Sequence, residues 1–196
     1  MERKMKRKTF DKIVTAIGAA LTVFLFVAAA LLNWGASFAE DSVRSQLENQ
    51  NISFPAAEAM PEATAKELAK WSEMKVTTGE MARDYSDLYI WEHMKGSAIA
   101  TVGKPATYSE VSGMYMGLVR GGSTDTAEIA KLGELRQTLF MGNTLRGMLL
   151  EAYAFGTMGV IAGYGALAAL VGGLLMLVLT LLGVVHLRRT PDSATI

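Results

Sequence analysis

The sequence predicts an all-α membrane protein, with two transmembrane helices flanking a small helical extracytoplasmic domain. Three observations predict it. Two long stretches contain no Asp, Glu, Lys or Arg, the charges outside them are sorted by sign, and no stretch shows period-two alternation of β-branched residues.

The longer uncharged stretch is Ala152–Leu187, 36 residues. A spanning helix needs about 20 apolar residues to cross about 30 Å of hydrocarbon. Counting back from Arg188 and Arg189, the cationic anchors at the inner interface, places the second span near 166–187. Tyr164 then falls in the outer aromatic belt. The surplus, 152–163, continues the helix outward, and its apolar side chains require a covering of protein: a packed outer domain, a homo-oligomer or a larger membrane complex. Gly159 and Gly163 are four apart, as are Gly165 and Ala169, and such small pairs let helix backbones approach closely.

The first uncharged stretch, Ile13–Trp34, is 22 residues long, with Lys12 at its inner end and Trp34 at its outer end. Ser37-Phe38-Ala39 resembles a signal-peptidase site, but a signal core is shorter, about 7–15 residues, so the segment reads as an uncleaved anchor. Residues 1–12 hold six Lys/Arg against two acids, whereas 35–151 hold 11 Lys/Arg against 16 Asp/Glu, a net charge of −5. Basic ends and an acidic middle place both termini, 1–12 and 188–196, in the cytoplasm and the middle outside the plasma membrane. The chain as a whole is formally neutral, which offers no electrostatic case for nucleic acid. With no cysteine, an outer domain must rely on its apolar core.

Within 35–151, Val43 and Leu47 mark a helix leaving the membrane, broken at Asn51-Ile52-Ser53-Phe54-Pro55; Asn51-Ile52-Ser53 also matches the short glycosylation pattern. Pro61 suits the first turn of a helix over about 62–74, carrying Leu68 and Trp71. Thr77 to Glu80 fits a capping box, and Met81, Tyr85 and Leu88 share a face of the helix that follows. Thr107 to Glu110 is a second capping box. Thr124 or Asp125 caps a long helix with a stripe of Ile129, Leu132, Leu135 and Leu139, which Gly142-Asn143 is expected to kink or interrupt. Leu145, Met148, Leu149 and Phe155 recur at helical spacing, and are expected to pack against Phe38, Val43 and Leu47, with Arg146 pairing with Glu40 or Asp41 or anchoring at the interface.

The chemical inventory is sparse. His93 lies in the outer segment and His186 at the inner edge, so one chain cannot bring them together on a metal. Glu80, Asp84 and Asp87 fall on one helix face, where three carboxylates could hold Ca²⁺, but without a wrapping loop they read as a solvated face. Gly163 to Ala168 matches a dinucleotide pattern but lies within a span with no preceding strand. No intramembrane charge provides an ion relay. No cofactor, metal or catalytic residue is expected.

Asn33 to Ala39, Ile52 to Pro55, Thr107 to Ser109 and Gly142 to Leu150 resemble a family of small two-span actinobacterial membrane proteins, of which the last stretch is the most specific. Members often carry the label of an aromatic ring-opening dioxygenase. That chemistry needs a metal site, commonly two His and one carboxylate, which this chain cannot assemble. The resemblance therefore implies topology and brings no catalytic residues. The expected function is a non-catalytic scaffold or accessory subunit acting through helix packing and outer-domain contacts; the alternative is a sensor-type ectodomain that signals through a partner.

Overall fold

The computed structural model describes residues 6–191 and 194. Arg3, Lys4 and Asp192, which enter the charge argument for the two termini, lie outside the described residues. Among the described residues, six α-helices follow in chain order: α1 (Arg7–Gln50), α2 (Ala65–Leu68), α3 (Gly79–Asp84), α4 (Trp91–Val102), α5 (Tyr108–Arg120) and α6 (Thr126–Arg189). A π-helical segment, Tyr85–Ile90, joins α3 to α4. Among the described residues there is no strand; Ser53 and Lys75 form one isolated antiparallel bridge.

Two helices, α1 and α6, are long and apolar enough to cross a membrane. Their most apolar stretches are only 17% and 6% buried, respectively, unlike the core helix of a water-soluble protein. The chain divides into two compact units: Met1–Ala39 with Met158–Ile196, and Glu40–Thr157.

The first unit is an antiparallel pair formed by the start of α1 and the end of α6. Glycines lie at several close approaches of the two helices. A Cβ added at Gly163 would stand 3.8 Å from Ala36, at Gly165 3.3 Å from Leu32, at Gly173 3.2 Å from Phe26, and at Gly183 3.0 Å from Thr15. Facing outward are Val14, Ile17, Phe24, Leu31, Leu167 and Leu174, all exposed.

The second unit has two cores. One gathers Val43 and Leu47 of α1, Phe54, Leu68, Val76, Met81 of α3 and Leu149 of α6. The other gathers Met94 and Ala98 of α4, Val111 of α5, and Leu132, Leu135 and Leu139 of α6.

Local chemistry sets the ends. Asn51, with φ +50°, closes α1 in the left-handed conformation that Asn tolerates. Thr107 and Glu110 form a complete capping box on α5. Asp125 Oδ1 accepts from the Glu128 N–H (2.9 Å) to start α6.

Three expectations are corrected. Residues 62–74 do not form one helix: α2 is four residues long, and Ala69–Trp71 tightens into a 3₁₀ turn. Val76 and Phe54 are instead held by backbone hydrogen bonds to Ile52 and Met74, 2.9 Å each, which pull the chain out of helix. Thr78, not Thr77, caps α3, its hydroxyl accepting from the Met81 N–H (3.3 Å). Finally, α6 passes through Gly142-Asn143 without interruption. Gly142 serves packing there: a Cβ would stand 2.5 Å from Met94 Sδ, so its bare face accepts the Met94 side chain.

Candidate functional site

The polar features of the second unit centre on α3 and the π-helical segment. Asp84 ends α3 with its side chain only 5% exposed. Its Oδ1 accepts from Arg83 Nη2 (2.7 Å) and Nε (3.0 Å); its Oδ2 accepts from Trp71 Nε1 (2.9 Å) and pairs with Lys70 Nζ (3.0 Å). Burial pushes the carboxyl up, but the hydrogen bonds from Trp71, Arg83 and Lys70 outweigh it and hold Asp84 below its ordinary range. The same contacts raise Lys70, first through Asp84 and then Glu80, and raise Arg83, first through Asp84 and then Tyr153. The expected solvated carboxylate face is corrected at Asp84 alone; the side chains of Glu80 and Asp87 stay 55% and 43% exposed. Asp84 is buried and fully partnered, Glu80 pairs with Lys70 (3.1 Å), and Asp87 pairs with Arg146 (3.0 Å). Among the described residues no group of three or more His, Cys, Asp or Glu could hold a metal ion.

A π-helical turn displaces the regular backbone ladder, and such turns recur at functional sites. Here the displaced carbonyls have partners. Thr64 Oγ1 donates to the Leu88 carbonyl (2.7 Å), and Arg146 Nε donates to the Ser86 carbonyl (3.2 Å). Arg146 also lies over the Trp91 ring at 4.5 Å. The expected pairing of Arg146 with Glu40 or Asp41 is thus corrected: the guanidinium fork finds a carbonyl, a carboxylate and a ring together on the π-helical segment and the start of α4.

Three arginines of this unit rest on aromatic rings. Arg83 lies 5.2 Å from Tyr153, Arg146 lies over Trp91, and Arg136 lies 5.8 Å from Tyr108 and 5.3 Å from Tyr115. Two have a carboxylate, Asp84 or Asp87. Arg136 has hydroxyls instead: Nε donates to Ser112 Oγ (3.1 Å) and Nη2 to the Tyr108 hydroxyl (3.4 Å).

The junction residues separate into two faces. Leu149 is buried in the core with Val43 and Leu47, and Ala152 and Phe155 pack against that core. Leu145 and Met148 are exposed, 46% and 58%. Phe38 stacks on Trp34 (5.8 Å) within the first unit rather than joining this core. A close approach of main chain to main chain within the second unit uses glycines that the sequence reading missed. A Cβ on Gly79 would stand 3.1 Å from Tyr153 Cα, and one on Gly156 would stand 3.5 Å from Gly79 Cα. A glycine just after a capping threonine has no sequence signal that separates backbone contact from turn chemistry.

In the first unit, Gly159 is buried, Gly163 and Gly165 face Ala36 and Leu32, and Ala169 is partly buried. Lys12, Trp34, Tyr164, Arg188 and Arg189 are all exposed. Where the helices pair near Arg188, His186 Nε2 lies 3.6 Å from Asp11 Oδ2, and the Thr190 hydroxyl lies 3.4 Å from the same oxygen.

No protein-family description, curated protein or solved structure matches this chain.

Proposed function

We propose that the protein is a plasma-membrane scaffold or accessory subunit, anchored by the paired helices, with the 40–157 unit outside and both termini in the cytoplasm. The observation that carries this reading is a stripe of large apolar side chains left uncovered on α6. Met141, Leu145 and Met148 lie at i, i+4 and i+7, and are 53%, 46% and 58% exposed. Beside them is a shallow cavity of about 70 Å³, lined by Gln46, Gln50, Ile52, Leu145, Met148 and Ala152. The lining carries no charged side chain, and contiguous apolar surface of this kind marks partner contact. The partner is a helix of another membrane-anchored subunit, because its own anchor would hold it beside this stripe and lower the entropic cost of docking.

Purification from native membranes in mild detergent, followed by identification of co-purifying chains, tests the proposal. One stoichiometric membrane partner is expected, and Met148→Glu should release it while the thermal midpoint stays close to wild type. Leu149→Asp is the contrasting control. It buries an unpaired carboxylate and should lower stability by several kcal/mol. Retention of the partner by the Met148→Glu protein would sink the proposal.

A further inference from the structure

We propose that Arg136 is the receptor for a monocarboxylate with an apolar body, held on the face shared by α5 and α6. Its two counterparts in the same unit are neutralised by Asp84 and Asp87, and Arg136 is not. Among the described residues it makes no ion pair, and its hydrogen bonds to Ser112 and Tyr108 engage Nε and one Nη2 proton. A guanidinium carries five N–H donors. Both Nη1 donors and the second on Nη2 therefore lack a protein partner among the described residues. One Nη1 donor and the free Nη2 donor form the end-on edge of the fork, which grips a carboxylate through two parallel hydrogen bonds.

The fork is set in place before any ligand arrives. Tyr108 and Tyr115 flank the guanidinium, and Ser112 holds its Nε side. Gly133 lets the Tyr115 ring lie against α6, since a Cβ there would stand 3.3 Å from Tyr115 Cε2. The nearby acid on α5, Glu110, is occupied by the Thr107 N–H (2.7 Å) and hydroxyl (2.8 Å). Arg136 itself remains partly exposed.

Charge and surroundings narrow the ligand class. One guanidinium supplies a single positive charge within a segment of net charge −5, which disfavours dianions such as phosphate monoesters. Phe140 stands beside the site, 53% exposed, its ring centroid 5.8 Å from that of Tyr108. It offers apolar contact to whatever carries the carboxylate. Two sources share this chemistry: a free short-chain acid, and the C-terminal carboxylate of a peptide ending in an apolar residue. The site lies wholly within the second unit and does not depend on the membrane topology proposed above.

Titration calorimetry on the full chain in phosphatidylcholine nanodiscs, with empty nanodiscs as reference, tests the site. The probes are hexanoate, hexanamide, acetate, and a tripeptide ending in leucine as free acid and as amide. Saturable binding of hexanoate, the free-acid peptide or both is expected at millimolar concentration, and which of them binds identifies the source. Neither amide should bind. Arg136→Lys keeps the charge but loses the fork, and should weaken binding about ten- to a hundredfold. Phe140→Ala, a change at an exposed ring, should weaken hexanoate and leave acetate unchanged, and it keeps the test open should Arg136→Lys fail to fold. No saturable binding by either acid, equal binding of acid and amide, undiminished affinity in a folded Arg136→Lys protein, or an unchanged hexanoate affinity in Phe140→Ala would each overturn the proposal.

Discussion

Asp84 shows how a single buried carboxylate organises its surroundings. It joins Trp71 of the 3₁₀ turn, Lys70 beside it and Arg83 of α3, and Arg83 in turn covers Tyr153 of α6. The carboxylate form is favoured in the fold, so Asp84 titrates below its ordinary value. A group with a depressed folded pKa adds stability that is fully present above its unfolded pKa, near 3.8, and is lost as pH falls through the folded value. Wild-type stability should therefore fall as pH drops below that range, and the Asp84→Asn protein should show a flatter acid limb. At neutral pH, Asp84→Asn should cost about 1.5–3 kcal/mol, the worth of hydrogen bonds to a charged group. Lys70 and Arg83 are partly exposed and can recover water, which favours the lower end. Thermal unfolding of both proteins at acid and neutral pH measures it. Matching midpoints at both pH values would mean that the network adds nothing.

At the scale of elements, two devices hold the second unit together. The first is close backbone approach. Gly79 at the start of α3 lies against Ala152 and Tyr153 of α6, and the obstacle to a Cβ is main chain, which cannot rotate away. Gly79→Ala should destabilise by about 1–3 kcal/mol through overpacking. Gly113, where nothing lies within 4 Å of an added Cβ, supplies the comparison. Gly113→Ala within α5 should be neutral or stabilising by up to about 1 kcal/mol, because Ala is the better helix former. Denaturant midpoints of the two variants check the pair, and equal shifts would refute the close-approach argument. The second device is the π-helical turn. Its carbonyls at Ser86 and Leu88 are taken by Arg146 and Thr64, and the turn brings Asp87 to Arg146 while Asp84 stays buried. Ser86 is fully buried there, its hydroxyl donating to Asp87 Oδ1 (3.2 Å).

For the whole molecule, the decisive property is where apolar surface is left exposed. The paired helices of the first unit turn Val14, Phe24, Leu31, Leu167 and Leu174 outward, while the second unit gathers apolar groups into two cores and leaves others, such as Ile99, Phe140 and the α6 stripe, exposed. The proposed orientation predicts that a cysteine replacing Lys104, in the exposed turn after α4, reacts with a membrane-impermeant thiol reagent on intact cells. The chain has no other cysteine to confuse the signal. Labelling only after lysis would overturn the orientation.

The sequence by itself determined the helical class, the two long apolar helices, the capping box at Thr107 and the core stripe of Leu132, Leu135 and Leu139. Each rests on interactions between residues within a few positions of one another, where periodicity and side-chain type suffice. Only the tertiary structure decided the fate of the charges and the glycines. Glu80, Asp84 and Asp87 look alike along one helix, yet Asp84 is buried because Trp71 and Lys70 arrive from a separate turn, while Asp87 meets Arg146 from a residue 59 positions away. Gly142 looks like a break, yet Met94 fills its bare face and the helix runs on. Residues 62–74 look helical, yet backbone bonds to Ile52 and Met74 draw part of that segment and its neighbours out of helix. In each case the deciding partner comes from another element, and local spacing carries no record of it.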